Sequence, residues 1–241
     1  MEQTGYDNGM LAQRVNHLEK ALSAGGAKID DAYALSLLQP LMIGYPFIPF
    51  TTASLRPFCL AHMLNDIVIN GRKNIIEFGS GLSTILFGRL IRRNRLGAMI
   101  FSVEHNAGWA GELKNILDME DLGDIVRVVH APLGEYPLAV SGSEWYDVEK
   151  LAGAIGDRRF DMMIIDGPPA WEKGNGQARY PAFPFMKDRM AQRYSIYLDD
   201  VNRIGEQTVL QRWEEESGLG FRITGKSLAY YYCGEAYFTE P

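Results

Sequence analysis

The sequence contains little cysteine, since only Cys59 and Cys233 occur among its 241 residues. Two cysteines without a spacing motif argue against a disulfide framework and indicate a reducing compartment. Positive charge is also scarce, because 24 lysines and arginines face 30 acidic residues and leave a net charge of −6. A chain with this balance is not expected to carry a general nucleic-acid-binding surface.

Long hydrophobic runs are missing as well. No uncharged apolar stretch approaches the roughly 18 residues that a transmembrane helix needs. Residues 1–9 are polar and acidic, without the basic start and apolar centre of a secretory signal. We therefore predict a cytoplasmic, soluble protein that has neither a membrane nor a nucleic acid as a partner. The hydrophobic content of 46% is enough for the core of one α/β domain.

The most informative stretch is a glycine turn that follows a short apolar run beginning at Asn74. The run stops at Glu77, then Gly79 and Gly81 follow, and a helix is predicted over residues 82–90. Gly79 permits a tight turn, and Gly81 lets a ligand approach the backbone with no Cβ in the way. The helix N-terminus offers free N–H groups to a polar or anionic ligand. This order is typical of a nucleotide-binding βαβ unit.

The turn lacks the third glycine of a dinucleotide-binding fingerprint, because Ser83 stands near its place. A pyrophosphate favours that glycine, so the departure weighs against NAD or FAD as the cofactor. Taken alone, this stretch could also be an ordinary strand-to-helix turn that binds no cofactor.

Strands and helices alternate from Asn74 onward. Strands are predicted over residues 74–77, 99–104, 125–130, 160–166 and 195–200, with two more in the tail at 221–238, joined near Cys233-Gly234. Helices are predicted over residues 109–117, 147–155 and 203–216. This alternation predicts a doubly wound, Rossmann-like α/β fold with a mostly parallel sheet and helices on both faces. Ligands of such sheets bind beyond the carboxyl ends of the strands.

A helical extension precedes this pattern. An amphipathic helix is predicted over residues 9–24, ending at Gly25-Gly26, and a second over residues 30–38. The first helix either packs on the domain's own surface or serves as a lid or in a homodimer.

The next predicted helix runs to about residue 70 and is predicted to be capped by Thr51, Thr52 and Ser54. It leads directly into the first strand of the alternating pattern. We therefore divide the chain into an N-terminal helical extension at residues 1–50 and a ligand-binding domain at residues 51–241.

Polar residues collect where the predicted strands end. In chain order the ends carry Glu77, Glu104-His105, His130-Ala131, Asp166 and Asp199-Asp200. Any one of these polar residues, taken alone, could instead cap a helix or lie in a solvated loop without binding a ligand. A parallel sheet brings all five ends to one rim, so the combination predicts a ligand site there.

Glu104 lies about twenty residues beyond the glycine turn, at the tip of the second strand. A carboxylate in that place accepts hydrogen bonds from the hydroxyls of an adenosine ribose. Ala131, after the third strand, is predicted to line the adenine slot. These positions indicate an adenosine-containing cofactor without identifying it.

Asp166, Asp199 and Asp200 form the sharpest predicted cluster, because the fourth and fifth strands are neighbours. Three carboxylates repel one another unless they are protonated, hydrogen-bonded or bound to a metal. Oxygen ligands with open water positions suit Mg²⁺. The alternative is that Asp199 or Asp200 caps the helix beginning near Arg203, while Asp166 orders the turn at residues 167–169.

From about residue 51 to residue 238 the chain resembles a bacterial class I S-adenosylmethionine (SAM)-dependent methyltransferase. Within that superfamily it is most similar to the methyltransferase-24 type, several of which are associated with glycan or antibiotic tailoring. The resemblance is carried by residues 76–84, 102–105, 165–169, 179–182 and 198–203. It implies a seven-stranded sheet with an antiparallel last strand, and SAM as the cofactor. Catechol-type and macrolide-sugar O-methyltransferases place metal-binding acidic residues where this chain has Asp166, Asp199 and Asp200.

We therefore predict a SAM-dependent methyltransferase that acts on a hydroxyl of a glycan or other small molecule, with Mg²⁺ as the metal if one is used. The rival hypotheses are an NAD(P)-dependent oxidoreductase and a non-catalytic SAM-binding partner subunit. Asp166 is the predicted catalytic residue, and Arg179, in a loop that suits a lid, is a candidate for binding an anionic acceptor group. The predicted cofactor-binding residues are Glu77, Phe78, Gly79, Ser80, Gly81, Ser83, Thr84, Glu104, His105, Ala131 and Asp166.

Overall fold

The computed structural model describes residues 8–140, 142–171 and 174–241 of the chain. Residues 172 and 173 of the predicted lid loop therefore lie outside the described residues. The same holds for the side chains on the predicted apolar face of the first helix, at residues 11, 15, 18 and 22.

One twisted sheet of seven strands forms the centre of the molecule. Its strands are β1 (Asn74–Phe78), β2 (Met99–Glu104), β3 (Val126–His130), β6 (Phe160–Ile165), β7 (Met190–Leu198), β8 (Arg222–Thr224) and β9 (Leu228–Cys233). A separate hairpin pairs β4 (Leu133–Gly134) with β5 (Trp145–Tyr146). The sheet order is β3-β2-β1-β6-β7-β9-β8, and the first five strands are parallel. Strand β9 runs antiparallel to β7, which confirms the predicted class I methyltransferase fold.

Helices cover both faces of the sheet. They are α1 (Asn8–Leu38), α2 (Pro57–Ile69), α3 (Leu82–Asn94), α4 (Ala107–Met119), α5 (Val148–Ile155), α6 (Ala182–Met186) and α7 (Ile204–Ser217). Alternate residues of a strand point to opposite faces, so Ile75 joins the core beside α2, α3 and α4, and Ile76 joins the core beside α5, α6 and α7. Among the helices described, none combines the length and the apolar character that a membrane span requires.

The N-terminal helix does not break at Gly25-Gly26, so the prediction of two helices is wrong. Helix α1 continues from Asn8 to Leu38. A glycine inside a helix costs about 1 kcal/mol relative to alanine, which tertiary contacts can offset. Such contacts follow the glycines: Ala34 and Leu38 are buried in the core, and Asp31 forms an ion pair with Arg56 at 3.0 Å.

The predicted cap of the next helix is also wrong. Helix α2 begins at Pro57, and no hydroxyl side chain caps it. Proline suits the first helical position, because it has no N–H to satisfy and its φ is already helical. The carboxylate of Asp31 accepts the N–H of Phe58 at 3.3 Å, while Thr51 and Ser54 bond to each other within their own turn.

The C-terminal strands are joined earlier than predicted. The connection between β8 and β9 lies at Gly225 and Lys226, which both have positive φ, and not at Cys233-Gly234. Cys233 is instead the end of β9, paired with Tyr194 of β7. Gly225 and Gly234 both have a positive φ, so the presence of a glycine alone does not identify the turn between the two strands.

A buried arginine of α3 holds the connector between α1 and α2. The guanidinium of Arg89 makes two 2.6 Å hydrogen bonds to the carboxylate of Glu120. It also donates to the carbonyl of Leu41 at 3.0 Å and lies 4.2 Å from the ring centroid of Tyr45. The planar fork of arginine suits this combination of a bidentate pair and a stacked ring. The connector is thereby fixed against α3 and α4.

A buried histidine of α2 takes part in a polar cluster under the sheet. His62 is fully buried, and its Nε2 atom lies 3.0 Å from the hydroxyl of Tyr232. Its ring packs edge-on against Tyr197 and Tyr230. Burial lowers the pKa of His62 to about 4, although the charges of Glu240 and Asp66 act in the opposite direction.

His62 is therefore expected to make the free energy of unfolding depend on pH. Its folded pKa lies below its unfolded pKa, so stability is lost as the pH falls from about 6.5 towards about 4. A shift of this size corresponds to about 3 kcal/mol at the acid end. Denaturant unfolding should show that the stability difference between the wild type and His62→Gln narrows as the pH falls. His17→Gln, at an exposed position of α1, is the matched control substitution. A His62→Gln difference independent of pH would contradict the assignment.

Candidate functional site

The carboxylate of Glu77 lies beneath the glycine turn and holds it in place. It accepts hydrogen bonds from the hydroxyls of Ser83 and Thr84 in the first turn of α3, and from Ser102 of β2 at 2.8 Å. Burial raises the pKa of Glu77, and the three hydroxyl groups act against that rise. Thr84 also accepts the N–H of Gly81 at 3.1 Å. Glu77, Ser83 and Thr84 therefore form a support that ties the start of α3 to β1 and β2.

The two glycines of the turn have different surroundings. Gly79 has a φ of +92°, and a Cβ there would lie 2.9 Å from the backbone nitrogen of Gly167, after β6. Gly81 has an extended φ of 175°, and a Cβ there would meet no atom within 4 Å. Gly79 is thus required by the protein's own backbone. Gly81 leaves open space where a ligand can reach the N-terminus of α3.

This contrast leads to a test with two matched variants. Gly79→Ala is expected to lower the free energy of unfolding by about 2–3 kcal/mol, because it adds both backbone strain and a backbone clash. Gly81→Ala should stay within about 0.5 kcal/mol of the wild type, since no atom opposes the new methyl group. Denaturant unfolding of both variants measures the difference. Equal losses would show that the turn is strained at both positions.

Glu104 lies at the tip of β2, beside the turn. Its carboxylate accepts the Ser80 hydroxyl at 2.6 Å and the Asn106 N–H at 2.7 Å, and it lies 3.0 Å from Nδ1 of His105. Burial alone would raise the pKa of Glu104, but the bonds from His105, Ser80 and the Asn106 backbone outweigh burial and lower it. The group is therefore a carboxylate acceptor at neutral pH.

Two connected cavities open above the sheet. The first, the proline-lined cavity, has a volume of about 650 Å³ and lies between the connector, α3 and α4. The second, the acidic cavity, has a volume of about 580 Å³ and lies over the ends of β2, β6 and β7. The residues that line both are Ala53, Ser54, Gly79, Ser80 and Asp166. The glycine turn is therefore the floor shared by the two cavities.

The three aspartates meet in the acidic cavity as predicted. One carboxylate oxygen from each of Asp166, Asp199 and Asp200 lies within 4.8 Å of the others. Among the described residues, none provides a hydrogen-bond donor for Oδ1 of Asp199, although this atom is buried. Asp200 has a positive φ of 64°, which is uncommon for a residue other than glycine. The cluster is thus a set of hard oxygen donors with one unsatisfied position.

Arg179 lies in the wall of the acidic cavity, beside the aspartate cluster. Its side chain is fully buried and donates to the backbone carbonyls of Asp166 at 2.7 Å and Asp199 at 3.1 Å. Its Nη2 atom also lies 3.1 Å from the carboxylate of Asp200. An arginine engaged in this way is a counter-ion of the aspartate cluster. Because Arg179 also lines the acidic cavity, the binding of an acceptor anion by Arg179 stays a prediction.

Burial sets the charge of the aspartates. It raises the pKa of Asp166 to about 7, with Arg179 acting against the rise and Asp200 and Glu77 adding to it. Burial also raises the pKa of Asp199 well above its usual range, and the charges of Asp166 and Asp200 add to that shift. The carboxyl group of Asp166 can therefore gain or lose a proton near neutral pH.

The other predicted site residues are placed as follows. His105 lines the acidic cavity beside Glu104. Phe78 is buried against Trp145, with ring centroids 5.4 Å apart, and Ala131 is fully buried after β3. Trp109 of α4 lines the proline-lined cavity and donates from Nε1 to the Ser80 carbonyl at 3.1 Å. The assignment of His105, Phe78 and Ala131 to the cofactor stays a prediction, and Trp109 is an additional wall of the site.

Sequence reasoning missed two parts of the site. Ala53 and Ser54, which precede α2, line both cavities. Ser54 was interpreted as a helix cap, and Ala53 was not singled out. Tyr146 of β5 lines the acidic cavity beside Asp166, but its two-residue strand is too short to produce a periodic pattern.

Comparison with known proteins agrees with this geometry. Residues 76–201 match the family described as a methyltransferase domain. No curated protein matches the chain. A candidate caffeoyl-CoA O-methyltransferase from Staphylococcus aureus is 16% identical, with a TM-score of 0.58 over 86% of this chain and 100% of the other. The S-adenosylhomocysteine (SAH)-bound methyltransferase PaMTH1 from Podospora anserina is 13% identical, with a TM-score of 0.57 over 98% of this chain and 100% of the other.

A third similar structure is the O-methyltransferase TomG from Streptomyces achromogenes, involved in tomaymycin synthesis and solved in complex with SAM. It is 14% identical, with a TM-score of 0.50 over 83% of this chain and 90% of the other. At identities this low, the three structures establish a shared fold.

Proposed function

The chain belongs to the methyltransferase-domain family, and from this premise we propose that it transfers the methyl group of SAM to a hydroxyl group of a small molecule. The observation that carries the proposal is the position of Glu104. Its carboxylate lines the same cavity as the glycine turn and Asp166, at the strand tip where adenosine ribose is bound in folds of this kind. The bound SAH and SAM in the similar structures from Podospora and Streptomyces support the choice of cofactor.

The residues around the turn fit SAM. The open space at Gly81 exposes the N-terminus of α3, whose free N–H groups suit the carboxylate of the methionine half. Glu104 would accept hydrogen bonds from the ribose hydroxyls in place of those it now accepts from Ser80 and Asn106. When bound, SAM would supply a methyl group on a positively charged sulfur. The residues proposed to contact SAM are Gly79, Ser80, Gly81, Glu104, His105 and Asp166. The other predicted cofactor-binding residues are proposed to hold these in place, and they are Glu77, Phe78, Ser83, Thr84 and Ala131.

Asp166 is the proposed catalytic residue. It lies at the end of β6, where both cavities meet, and its pKa of about 7 suits a group that takes a proton near neutral pH. Asp166 would accept the proton of the acceptor hydroxyl as the oxygen forms its bond to the methyl carbon. SAM would supply that methyl carbon, and the electron pair of its carbon–sulfur bond would remain on the sulfur of SAH. The paired guanidinium of Arg179 keeps Asp166 in place during this step.

The aspartate cluster also fits a hard divalent cation. Three carboxylate oxygens within 4.8 Å, one of them from a residue whose Oδ1 lacks a donor, form the ligand set that Mg²⁺ prefers. Asp166, Asp199 and Asp200 would hold the ion. When bound, Mg²⁺ would lower the pKa of the acceptor hydroxyl. Arg179 pairs with Asp166 and Asp200, and Arg203 pairs with Asp200 at 2.8 Å, so the ion would share the carboxylates with two guanidinium groups.

A binding experiment tests the proposed function. Calorimetry on the purified protein should show binding of SAM and SAH and no binding of NADH. Mass spectrometry of the ligand that co-purifies with the protein gives a second, independent readout. Binding of NADH without SAM would favour the oxidoreductase hypothesis. Binding of SAM without turnover of any hydroxylated acceptor would favour a non-catalytic SAM-binding subunit.

Other parts of the sequence-based interpretation are carried into the proposal unchanged. They are a glycan or other small-molecule acceptor, a cytoplasmic location, an N-terminal helix that either packs on the domain or serves as a lid or in a homodimer, and the division at residues 50 and 51. Residues 46–49 belong to the predicted extension but line the proline-lined cavity together with Gly81. The proposal therefore assigns the end of the extension a role in covering the cofactor.

A further inference from the structure

Tyr146 brings a hydroxyl group into the acidic cavity from the small β4–β5 hairpin. In that hairpin Tyr146 pairs with Leu133, and its ring packs on Trp145 and Phe78 with centroid distances of 4.9 Å and 5.8 Å. The side chain is almost completely buried, with 1% of its surface exposed, and it lines the acidic cavity. Its position is thus set by packing and not by hydrogen bonds.

The hydroxyl of Tyr146 has no hydrogen-bond partner in the part of the chain that the structure describes. Buried polar groups are almost always paired, so an unpaired one at a cavity wall points to a ligand. The backbone makes room for this group: a Cβ on Gly167 would overlap the Tyr146 oxygen. The space beside the hydroxyl therefore depends on a glycine at the end of β6.

The charges around Tyr146 define what the hydroxyl can do. Burial raises the pKa of Tyr146 well above its usual value, and the charge of Glu104 is the largest electrostatic contribution in the same direction. The group stays protonated at neutral pH and can donate a hydrogen bond to an oxygen or nitrogen lone pair. The Tyr146 hydroxyl lies beside Gly167, in the same cavity as Glu104, which is proposed to bind the ribose.

We propose that the Tyr146 hydroxyl donates a hydrogen bond to the adenosine half of the bound cofactor. This inference rests on the proposed function and adds a contact that no strand-end motif marks. The hairpin would then act as a third support of the cofactor, beside the glycine turn and the tip of β2.

The substitution Tyr146→Phe isolates the hydroxyl, because it keeps the packed ring. Calorimetry with SAH and with 5′-methylthioadenosine, which lacks the amino-acid end, should show a loss of affinity of about fivefold to tenfold for both. The melting temperature of the free variant should equal or exceed that of the wild type, since no protein hydrogen bond is lost.

Tyr197→Phe is the matched control. Tyr197 is also fully buried, but its hydroxyl bonds to Tyr232 at 2.9 Å and it lines neither cavity. This variant should lower the melting temperature and leave both affinities unchanged, the opposite pattern to Tyr146→Phe.

Wild-type affinities in Tyr146→Phe would overturn the inference and show that water satisfies the hydroxyl. Weaker binding of SAH with unchanged binding of 5′-methylthioadenosine would overturn it too, because the contact would then lie at the methionine half. If the wild type itself binds neither compound, the proposed function fails first; the inference alone fails only when the wild type binds both.

Discussion

Glu104→Gln is expected to weaken the binding of SAM about a hundredfold, the scale for losing two hydrogen bonds to a charged acceptor. Glutamine has the size of glutamate but offers one acceptor oxygen and no negative charge. The pKa of Glu104 is held below its usual value by His105, Ser80 and the Asn106 backbone despite burial, so the wild type presents a full carboxylate to the ribose. Calorimetry at neutral pH measures the change directly.

The control for this experiment is Glu149→Gln, which removes an exposed carboxylate from the first turn of α5, away from both cavities. Its affinity for SAM should equal that of the wild type. The melting temperature of Glu104→Gln must also be measured, because Glu104 bonds to Ser80 in the turn. A Glu104→Gln variant that is folded and binds SAM as tightly as the wild type would remove Glu104 from the cofactor site.

Asp199→Asn is expected to lower the affinity for a divalent cation by at least about a hundredfold, since even supporting groups of metal sites contribute 10- to 100-fold. Asp199 has a buried oxygen without a donor in the described structure, and its neighbours Asp166 and Asp200 provide the other ligands. Electron paramagnetic resonance with Mn²⁺ as the probe counts bound ions without relying on activity. Chelation followed by the return of Mg²⁺ then measures the effect on methyl transfer.

Asp188→Asn is the matched control, because Asp188 is an exposed aspartate that belongs to neither the cluster nor the acidic cavity. It should bind Mn²⁺ like the wild type. Two results would remove the metal from the proposal: no binding of Mn²⁺ by the wild type, or full methyl transfer in excess chelator. Asp166 would then act on the acceptor hydroxyl with the guanidinium of Arg179 as the positively charged group paired to it directly.

Local patterns predicted most of the sheet correctly. The five parallel strands, the glycine turn and the acidic strand ends were recognised because each depends on residues close together in sequence. Period, glycine spacing and strand length suffice for such features. Parallel strands all end at the same edge of the sheet, so the sequence predicts that Glu104, Asp166 and Asp199 lie on one rim. In the structure all three line the acidic cavity.

Features that depend on distant residues were the ones predicted wrongly. Helix α1 continues through Gly25-Gly26 because residues after the glycines make tertiary contacts. Asp31 accepts a hydrogen bond from the N–H of Phe58 in α2, and Leu38 packs in the core. The sequence also did not predict that the Arg179 guanidinium donates to the carbonyls of Asp166 and Asp199, which follow β6 and β7. No pattern within residues 167–181 reveals those partners.

The sequence by itself therefore determined the family, the order of strands and helices, and the set of acidic residues at the carboxyl edge of the sheet. Only the tertiary structure decided which of these groups face a cavity and which face each other. Glu77 turned out to support the turn from inside, and Tyr146 brought an unpaired hydroxyl to the cavity. The physical reason is that hydrogen-bond partners and burial depend on which elements pack together, and side chains far apart in sequence make those contacts.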